Sequence, residues 1–219
     1  MRNDYKLIIF DMDGTILNTI DDLTISLNYA REKFGFNSLS VDEVKALTGN
    51  GIRRLVSDGL KDAPEDVIGN VFDCFYDHYK IHCNDNTRPY EGVNDTISAL
   101  KDEGYLCAVL SNKVHSAVLD LCRAHFDGLF DYILGNTDGL KPKPDPDGII
   151  RILDTANVEK KDALMVGDSD VDIQTGYNAG IDVVGATYGF RSEALLKNMG
   201  VKNLIHTPSD LLDLLSVKR

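Results

Sequence analysis

Leu7-Ile8-Ile9-Phe10-Asp11-Met12-Asp13-Gly14-Thr15 is the stretch of this 219-residue sequence that decides the fold. Its first four residues form a continuous apolar run, which is typical of a strand buried on both faces in a parallel sheet. The run stops at Asp11, and a second acid follows at Asp13. Because ligands of open α/β sheets gather at the carboxyl ends of the strands, we expect both acids to lie in a binding site.

Similar apolar runs recur along the chain and alternate with helical patterns. Val93, Ile97 and Leu100, for example, have the spacing of one apolar helix face, and Gly104 follows them. This alternation predicts an α/β fold with a Rossmann-like parallel sheet and right-handed crossovers. The further predicted strands are Leu106–Leu110, Tyr132–Leu134, Leu164–Val166 and Val183–Val184.

The segment from Ile16 to Asn86 departs from this alternation, because it contains helical patterns only. Ser40 and Glu43 have the spacing of a capping box, which predicts that a helix begins there. The predicted organisation is therefore an α/β core made of residues 1–15 and 87–219, with an α-helical cap domain of residues 16–86 inserted after the first strand.

Bulk properties exclude several classes of protein. The net charge of -12 argues against binding to nucleic acid or to an anionic membrane surface. No apolar run approaches the roughly 18 residues of a membrane-spanning helix, and Met1–Lys6 lacks the features of a signal peptide. The four cysteines show no paired spacing and are expected to be reduced. We therefore expect a cytoplasmic protein, a monomer or a homodimer, that acts on a small molecule.

Polar segments also follow the second, third and fourth predicted strands. They are Ser111-Asn112-Lys113 after the second, Lys141-Pro142-Lys143-Pro144 past the third, and Gly167-Asp168-Ser169-Asp170-Val171-Asp172 after the fourth. Crowded carboxylates repel one another unless a cation joins them. Hard oxygen ligands without His or Cys favour Mg²⁺. A lysine and a hydroxyl beside such a metal suit phosphoryl transfer, with one of the first two acids attacking phosphorus and the other moving a proton.

Four segments resemble, in the right order, the motifs of the haloacid dehalogenase superfamily. They are Asp11-x-Asp13-Gly14-Thr15, Ser111-Asn112, Lys141-Pro142-x-Pro144 and Gly167-Asp168-Ser169-x-x-Asp172. The resemblance spans almost the whole chain. It implies a Mg²⁺-dependent enzyme whose helical cap is mobile, closes over the substrate and excludes water.

The resemblance also implies the catalytic residues. Asp11 would be the nucleophile and a magnesium ligand. Asp13 would be the general acid and base, with its backbone carbonyl on the metal. Lys141 would neutralise charge on Asp11 and on the phosphate. Lys143, two positions further on, competes with Lys141 for this role, although it could be a solvated neighbour.

The remaining motif residues are implied to bind the phosphate and the metal. Ser111, with Asn112, would bind the phosphate. Asp168 would hold magnesium, and Asp172 would support the metal directly or through water. Polar residues after a strand can instead have a purely structural role as caps of the next helix, and Ser169 and Asp170 could act in this way.

The branch of the superfamily is narrowed by Asp13. Members that dehalogenate lack an acid at this position, so a phosphatase or a phosphomutase is implied. Thr48–Val56 and Pro89–Val93 resemble segments of phosphoglycolate phosphatases, which makes phosphoglycolate the leading substrate. A sugar phosphomutase and a catalytically silent binding protein are the alternatives. Arg53 could pair with a substrate carboxylate or lie on a solvated helix face.

Overall fold

The computed structural model describes residues 4–217, which form two compact units. One unit comprises the chain up to Leu17 together with the chain from Pro89 onward, and the other is Asn18–Arg88. The chain crosses between the units at 17/18 and 88/89, whereas the sequence predicted 15/16 and 86/87. Residues 1–3 and 218–219, which the predicted core includes, lie outside the described residues.

The secondary structure follows the alternation expected from the sequence. The strands are β1 (Leu7–Phe10), β2 (Leu17–Asn18), β3 (Arg88–Pro89), β4 (Leu106–Val114), β5 (Tyr132–Asn136), β6 (Ala163–Gly167), β7 (Asp182–Ala186) and β8 (Leu204–Ile205). The α-helices are α1 (Ile20–Lys33), α2 (Val41–Leu47), α3 (Ile52–Leu60), α4 (Glu65–His82), α5 (Val93–Asp102), α6 (His115–His125), α7 (Asp147–Ala156), α8 (Asp170–Ala179), α9 (Glu193–Asn198) and α10 (Asp210–Leu214).

A six-stranded parallel sheet with the order β5-β4-β1-β6-β7-β8 forms the first unit within the described residues. β1 lies between β4 and β6, with Leu7 opposite Leu106 and Ala163. All four residues of β1 are buried, because apolar clusters cover both faces of the sheet. The predicted α/β class is confirmed, and the order brings the carboxyl ends of β1, β4 and β6 side by side.

The second unit is helical and contains α1, α2, α3 and α4. At the start of α2, Ser40 accepts from the backbone N–H of Glu43, and the Glu43 carboxylate accepts in return from the N–H of Ser40, so the predicted capping box is present. The carboxylate of Asp22 is buried and accepts hydrogen bonds from Asn86 and Thr87, which ties α1 to the end of the unit.

In the described part of the chain, the helices are too short or too polar to cross a membrane. None of the four cysteines, all of which lie within residues 4–217, is disulfide-bonded.

Candidate active site

The chain turns sharply after β1, and this turn presents Asp11 and Asp13 at the edge of the sheet. The backbone N–H of Asp11 donates to the carbonyl of Val166 at 2.9 Å, which extends the pairing between β1 and β6 by one residue. Gly14 follows with φ of +93°, a conformation that a side chain would strain. A Cβ atom at Gly14 would also lie 2.5 Å from an oxygen of Asp168. The turn therefore fits tightly against the end of β6.

Three carboxylates meet where β1 and β6 end. Asp11, Asp168 and Asp172 each contribute an oxygen, and these oxygens lie within 4.8 Å of one another. The three residues are 6%, 1% and 1% exposed. Only oxygen donors make up this cluster, so its chemistry fits a hard divalent cation such as Mg²⁺.

The pKa values reflect the crowding of these acids. Burial, followed by the charge of Asp172, raises the pKa of Asp168 to about 7, although hydrogen bonds from Phe190 and Thr15 act in the opposite direction. Burial and Asp172 also raise the pKa of Asp11 well above its usual range, despite the neighbouring Lys143. Both carboxyls are therefore hard to ionise without a further cation, and a bound metal would relieve this cost.

Asp168 is held in place by groups on both sides. The hydroxyl of Thr15 donates to one oxygen at 3.0 Å, and the backbone N–H of Phe190 donates to the other at 2.7 Å. Gly189 lies so close that a Cβ atom there would meet Asp168 and the carbonyl of Gly14. The segment after β7 therefore orients this carboxylate, a contribution that the four motifs did not indicate.

The lysine beside Asp11 is Lys143, and this corrects the expectation for Lys141. The ammonium of Lys143 lies 2.6 Å from Asp11 and 2.5 Å from Asp172, and its side chain is 4% exposed. Lys141 is 71% exposed and lies 3.5 Å from Asp145 and 3.9 Å from Asp147. A solvated ammonium paired with surface acids contacts none of the three acids of the cluster.

The sequence contains the reason for this difference. Lys141-Pro142-Lys143-Pro144-Asp145-Pro146 carries the Lys-Pro-x-Pro pattern in two registers, one starting at Lys141 and the other at Lys143. Both registers match the motif equally well. The choice depends on which lysine reaches Asp11, which is a long-range relation that a local pattern does not encode.

Asp172 has both of its oxygens engaged. One accepts from Lys143, and the other accepts from the hydroxyl and the N–H of Ser169 at 2.6 and 3.1 Å. Ser169 and Asp172 thus form a capping box at the start of α8. The capping role considered for Ser169 is therefore present. Asp170 pairs instead with Arg191 at 3.1 Å.

The Ser111–Lys113 segment lies inside β4, whereas the sequence placed it after the strand. The pairing of β4 with β5 is irregular between Leu110 and Val114, and such irregularities re-aim side chains. Ser111 is buried, and its hydroxyl accepts from the N–H of Lys113 at 3.2 Å.

Asn112, which was expected to bind phosphate, contacts the backbone of Lys143. Its side chain donates to the carbonyl of Lys143 at 3.0 Å and accepts from the N–H of Lys143 at 2.8 Å. Because both ends of the amide are used, Asn112 fixes the backbone that carries the buried lysine.

Lys113 follows Asn112 in the chain, and none of the four motifs gives it a role. Its ammonium lies 2.8 and 3.1 Å from the two oxygens of Asp13, and its side chain is 4% exposed. The site therefore holds two buried lysines, one on each acid of the first motif. In the helical unit, Arg53 is paired with Glu65 at 3.2 Å and lies over the ring of Phe72.

Comparison with known proteins identifies the family of this chain. The family model of haloacid dehalogenase-like hydrolases matches residues 8–186. This chain belongs to that family, so the resemblance drawn from the four motifs is confirmed.

The similar proteins include several phosphatases. The phosphoglycolate phosphatase of Aquifex aeolicus (strain VF5) is 31% identical over 213 residues, which is 96% of each chain. That of Haemophilus influenzae (strain KW20) is 33% identical and covers 87% of this chain and 89% of its own. Among solved structures, a protein of Lactobacillus delbrueckii subsp. bulgaricus with a provisional assignment as a phosphoglycolate phosphatase is 33% identical. It covers 97% and 98% of the two chains, with a TM-score of 0.92.

Proposed function

We propose that this protein is a Mg²⁺-dependent phosphatase that hydrolyses a small phosphate monoester through a phosphoryl group carried on Asp11. The observation that carries the proposal is the buried cluster of Asp11, Asp168 and Asp172, which Lys143 joins. Three acids alone would repel a phosphate dianion. With one lysine and one divalent cation among them, the charge at the site is close to balanced before the substrate arrives.

The proposed metal ligands are Asp11, Asp168 and the backbone carbonyl of Asp13, with Asp172 supporting them. Bound there, Mg²⁺ would offset the repulsion between the phosphate and the carboxylates and absorb charge on the transferring oxygens. Asp172 also orients Lys143, since one of its oxygens accepts from that ammonium at 2.5 Å.

The reaction proceeds in two steps. An oxygen of Asp11 forms a bond to phosphorus as the bond to the ester oxygen breaks, and Asp13, which carries a proton at the start of this step, gives it to the departing alcohol. Water then attacks phosphorus, Asp13 takes the proton of the water, and the bond to Asp11 breaks to release inorganic phosphate. Lys143 stabilises the charge on the transferring group, and the Ser111 hydroxyl binds one of its oxygens.

Phosphoglycolate is the leading substrate, because relatives that match this chain over most of its length carry that name. Similarity to a sugar phosphomutase is limited to the fold, at 23% identity. The proposed setting is the cytoplasm, with reduced cysteines, and the proposed form is a monomer or a homodimer.

Phosphate release from a panel of small esters, with and without Mg²⁺, tests the proposal on the wild type and on Asp11→Asn. We expect release that requires Mg²⁺, is fastest with phosphoglycolate and is lost in the variant. Isomerisation of a sugar 1-phosphate without phosphate release would instead identify a phosphomutase. Inactivity across the whole panel would favour a binding protein with the same fold.

A further inference from the structure

A second buried lysine lies in the site and has no part in the reaction proposed above. We propose that Lys113 is a positioning residue that holds the carboxylate of Asp13 in the orientation required for proton transfer to the leaving oxygen. This inference rests on the proposed function, because it assigns Asp13 the proton-transfer role.

The contact between Lys113 and Asp13 restricts the carboxylate. One ammonium lies 2.8 Å from one oxygen and 3.1 Å from the other, so rotation of the ionised carboxylate in either direction breaks a hydrogen bond. When Asp13 carries the proton for the leaving oxygen, the ammonium holds one oxygen and the other bears the proton. Asp13 is 21% exposed, which would otherwise leave it free to turn toward water. The 4% exposure of Lys113 means that its charge is costly unless it is paired.

The backbone of Lys113 is itself fixed. A Cβ atom at Gly135 of β5 would lie 2.7 Å from the carbonyl oxygen of Lys113, so the two strands approach closely there. The N–H of Lys113 donates to the hydroxyl of Ser111. Lys113 thus contacts the acid of the first motif through its side chain and the serine of the second through its backbone.

The two buried lysines contact different acids of the first motif. Lys143 contacts Asp11, the group that attacks phosphorus, whereas Lys113 contacts Asp13, the group that moves the proton. Losing Lys113 should therefore harm the proton transfer more than the binding of phosphate. An alkyl ester needs a proton on its leaving oxygen, whereas a nitrophenyl ester leaves readily without one.

Kinetics of Lys113→Met with phosphoglycolate and with p-nitrophenyl phosphate distinguish these effects. Because kcat/KM covers steps up to the first departure of the alcohol, it isolates the proton donation. We expect kcat/KM to fall about 10²-fold for the alkyl ester and far less for the aryl ester. The inhibition constant of inorganic phosphate should stay within about twofold of wild type.

Two further variants serve as controls. Lys113→Arg keeps a cation on Asp13 and should restore the wild-type preference between the two esters. Lys101→Met breaks a different lysine–aspartate pair, with Asp131 at 2.6 Å. It should change neither kcat/KM for the two esters nor the inhibition constant of phosphate. Equal losses for both esters, together with weaker inhibition by phosphate, would make Lys113 a phosphate-binding residue and overturn the proposal.

A crystal structure of Lys113→Met provides a readout that needs no activity. We expect the Asp13 carboxylate to turn away from its wild-type position. If it stays in place, Lys113 does not position it. Failure of wild-type protein to hydrolyse any ester would reject the proposed function, while this structure would still decide the role of Lys113. If Met at this position prevents folding, Lys113→Gln, which also removes the cation, takes its place and should show the same selective loss for the alkyl ester.

Discussion

The ammonium of Lys143 lies between Asp11 and Asp172, 2.6 and 2.5 Å from their carboxylate oxygens. Burial acts to lower the pKa of Lys143, but the charges of Asp11 and then Asp172 outweigh it, so the pKa is raised. The lysine therefore stays charged at neutral pH. A cation that is permanently present beside the proposed nucleophile reduces the electrostatic repulsion that an incoming phosphate meets.

Replacing each of the two neighbouring lysines tests which one belongs to the site. We expect Lys143→Met to lower kcat by about 10²–10³-fold, because it removes the buried cation from the transferring group. Lys141→Met should keep kcat near the wild-type value, because this ammonium is 71% exposed and pairs with surface acids. Initial rates of phosphate release measure both. A large loss of kcat in Lys141→Met, with kcat unchanged in Lys143→Met, would show that Lys141 is the lysine of the site.

Asp11→Asn tests the nucleophile. It removes the proposed attacking oxygen and a metal ligand together, so turnover should fall by about 10³-fold or more. The fold should persist, because the substitution preserves size and takes one charge out of a crowded acid cluster. Phosphate release and the thermal midpoint Tm are the measurements. A variant that turns over at a near-normal rate would contradict attack by Asp11.

The acid cluster predicts a pH-dependent response to magnesium. The pKa of Asp168 is about 7 in the folded protein, against an ordinary value of 3.8. Between these values the native state binds more protons than the unfolded chain. The contribution of Asp168 to the free energy of unfolding is thus complete below 3.8 and is lost as the pH rises to 7.

Magnesium binding requires ionised carboxylates, so it competes with these protons. We therefore expect Mg²⁺ to raise Tm little at about pH 5.5 and distinctly more at about pH 8. Differential scanning fluorimetry at both pH values measures the shift, and Asp168→Asn should remove most of its pH dependence. Equal stabilisation of the wild type at both pH values would show that these acids do not bind the metal.

Gly14→Ala tests the tight turn after β1. The residue has φ of +93°, and a methyl group would lie 2.5 Å from an oxygen of Asp168. We expect the free energy of unfolding to fall by about 1–3 kcal/mol, and the magnesium requirement to rise because Asp168 is displaced. Urea denaturation and a magnesium titration measure the two effects. Gly104→Ala is the control, since it has a similar φ of +88° but an added Cβ meets no atom within 4 Å. If both variants respond alike to magnesium, displacement of Asp168 is not the cause.

Much of the molecule could be predicted from the sequence, because the signals are local. The apolar run before Asp11 and the helix patterns between later runs specified a parallel α/β sheet, and a long segment with helical patterns only specified the inserted helical unit. Asp11, Asp168 and Asp172 could be grouped in advance, since neighbouring parallel strands end at the same edge of a sheet.

Tertiary structure decided the contacts between residues that lie far apart in the sequence. The repeated Lys-Pro pattern offers two lysines, and only the path of the loop after β5 selects Lys143 for Asp11. Asn112 and Lys113 have no motif that reveals their partners, because an irregularity between β4 and β5 aims them. The sequence therefore determined which chemical groups reach the edge of the sheet, whereas folding determined which of them touch, because each contact joins residues that lie far apart in the chain.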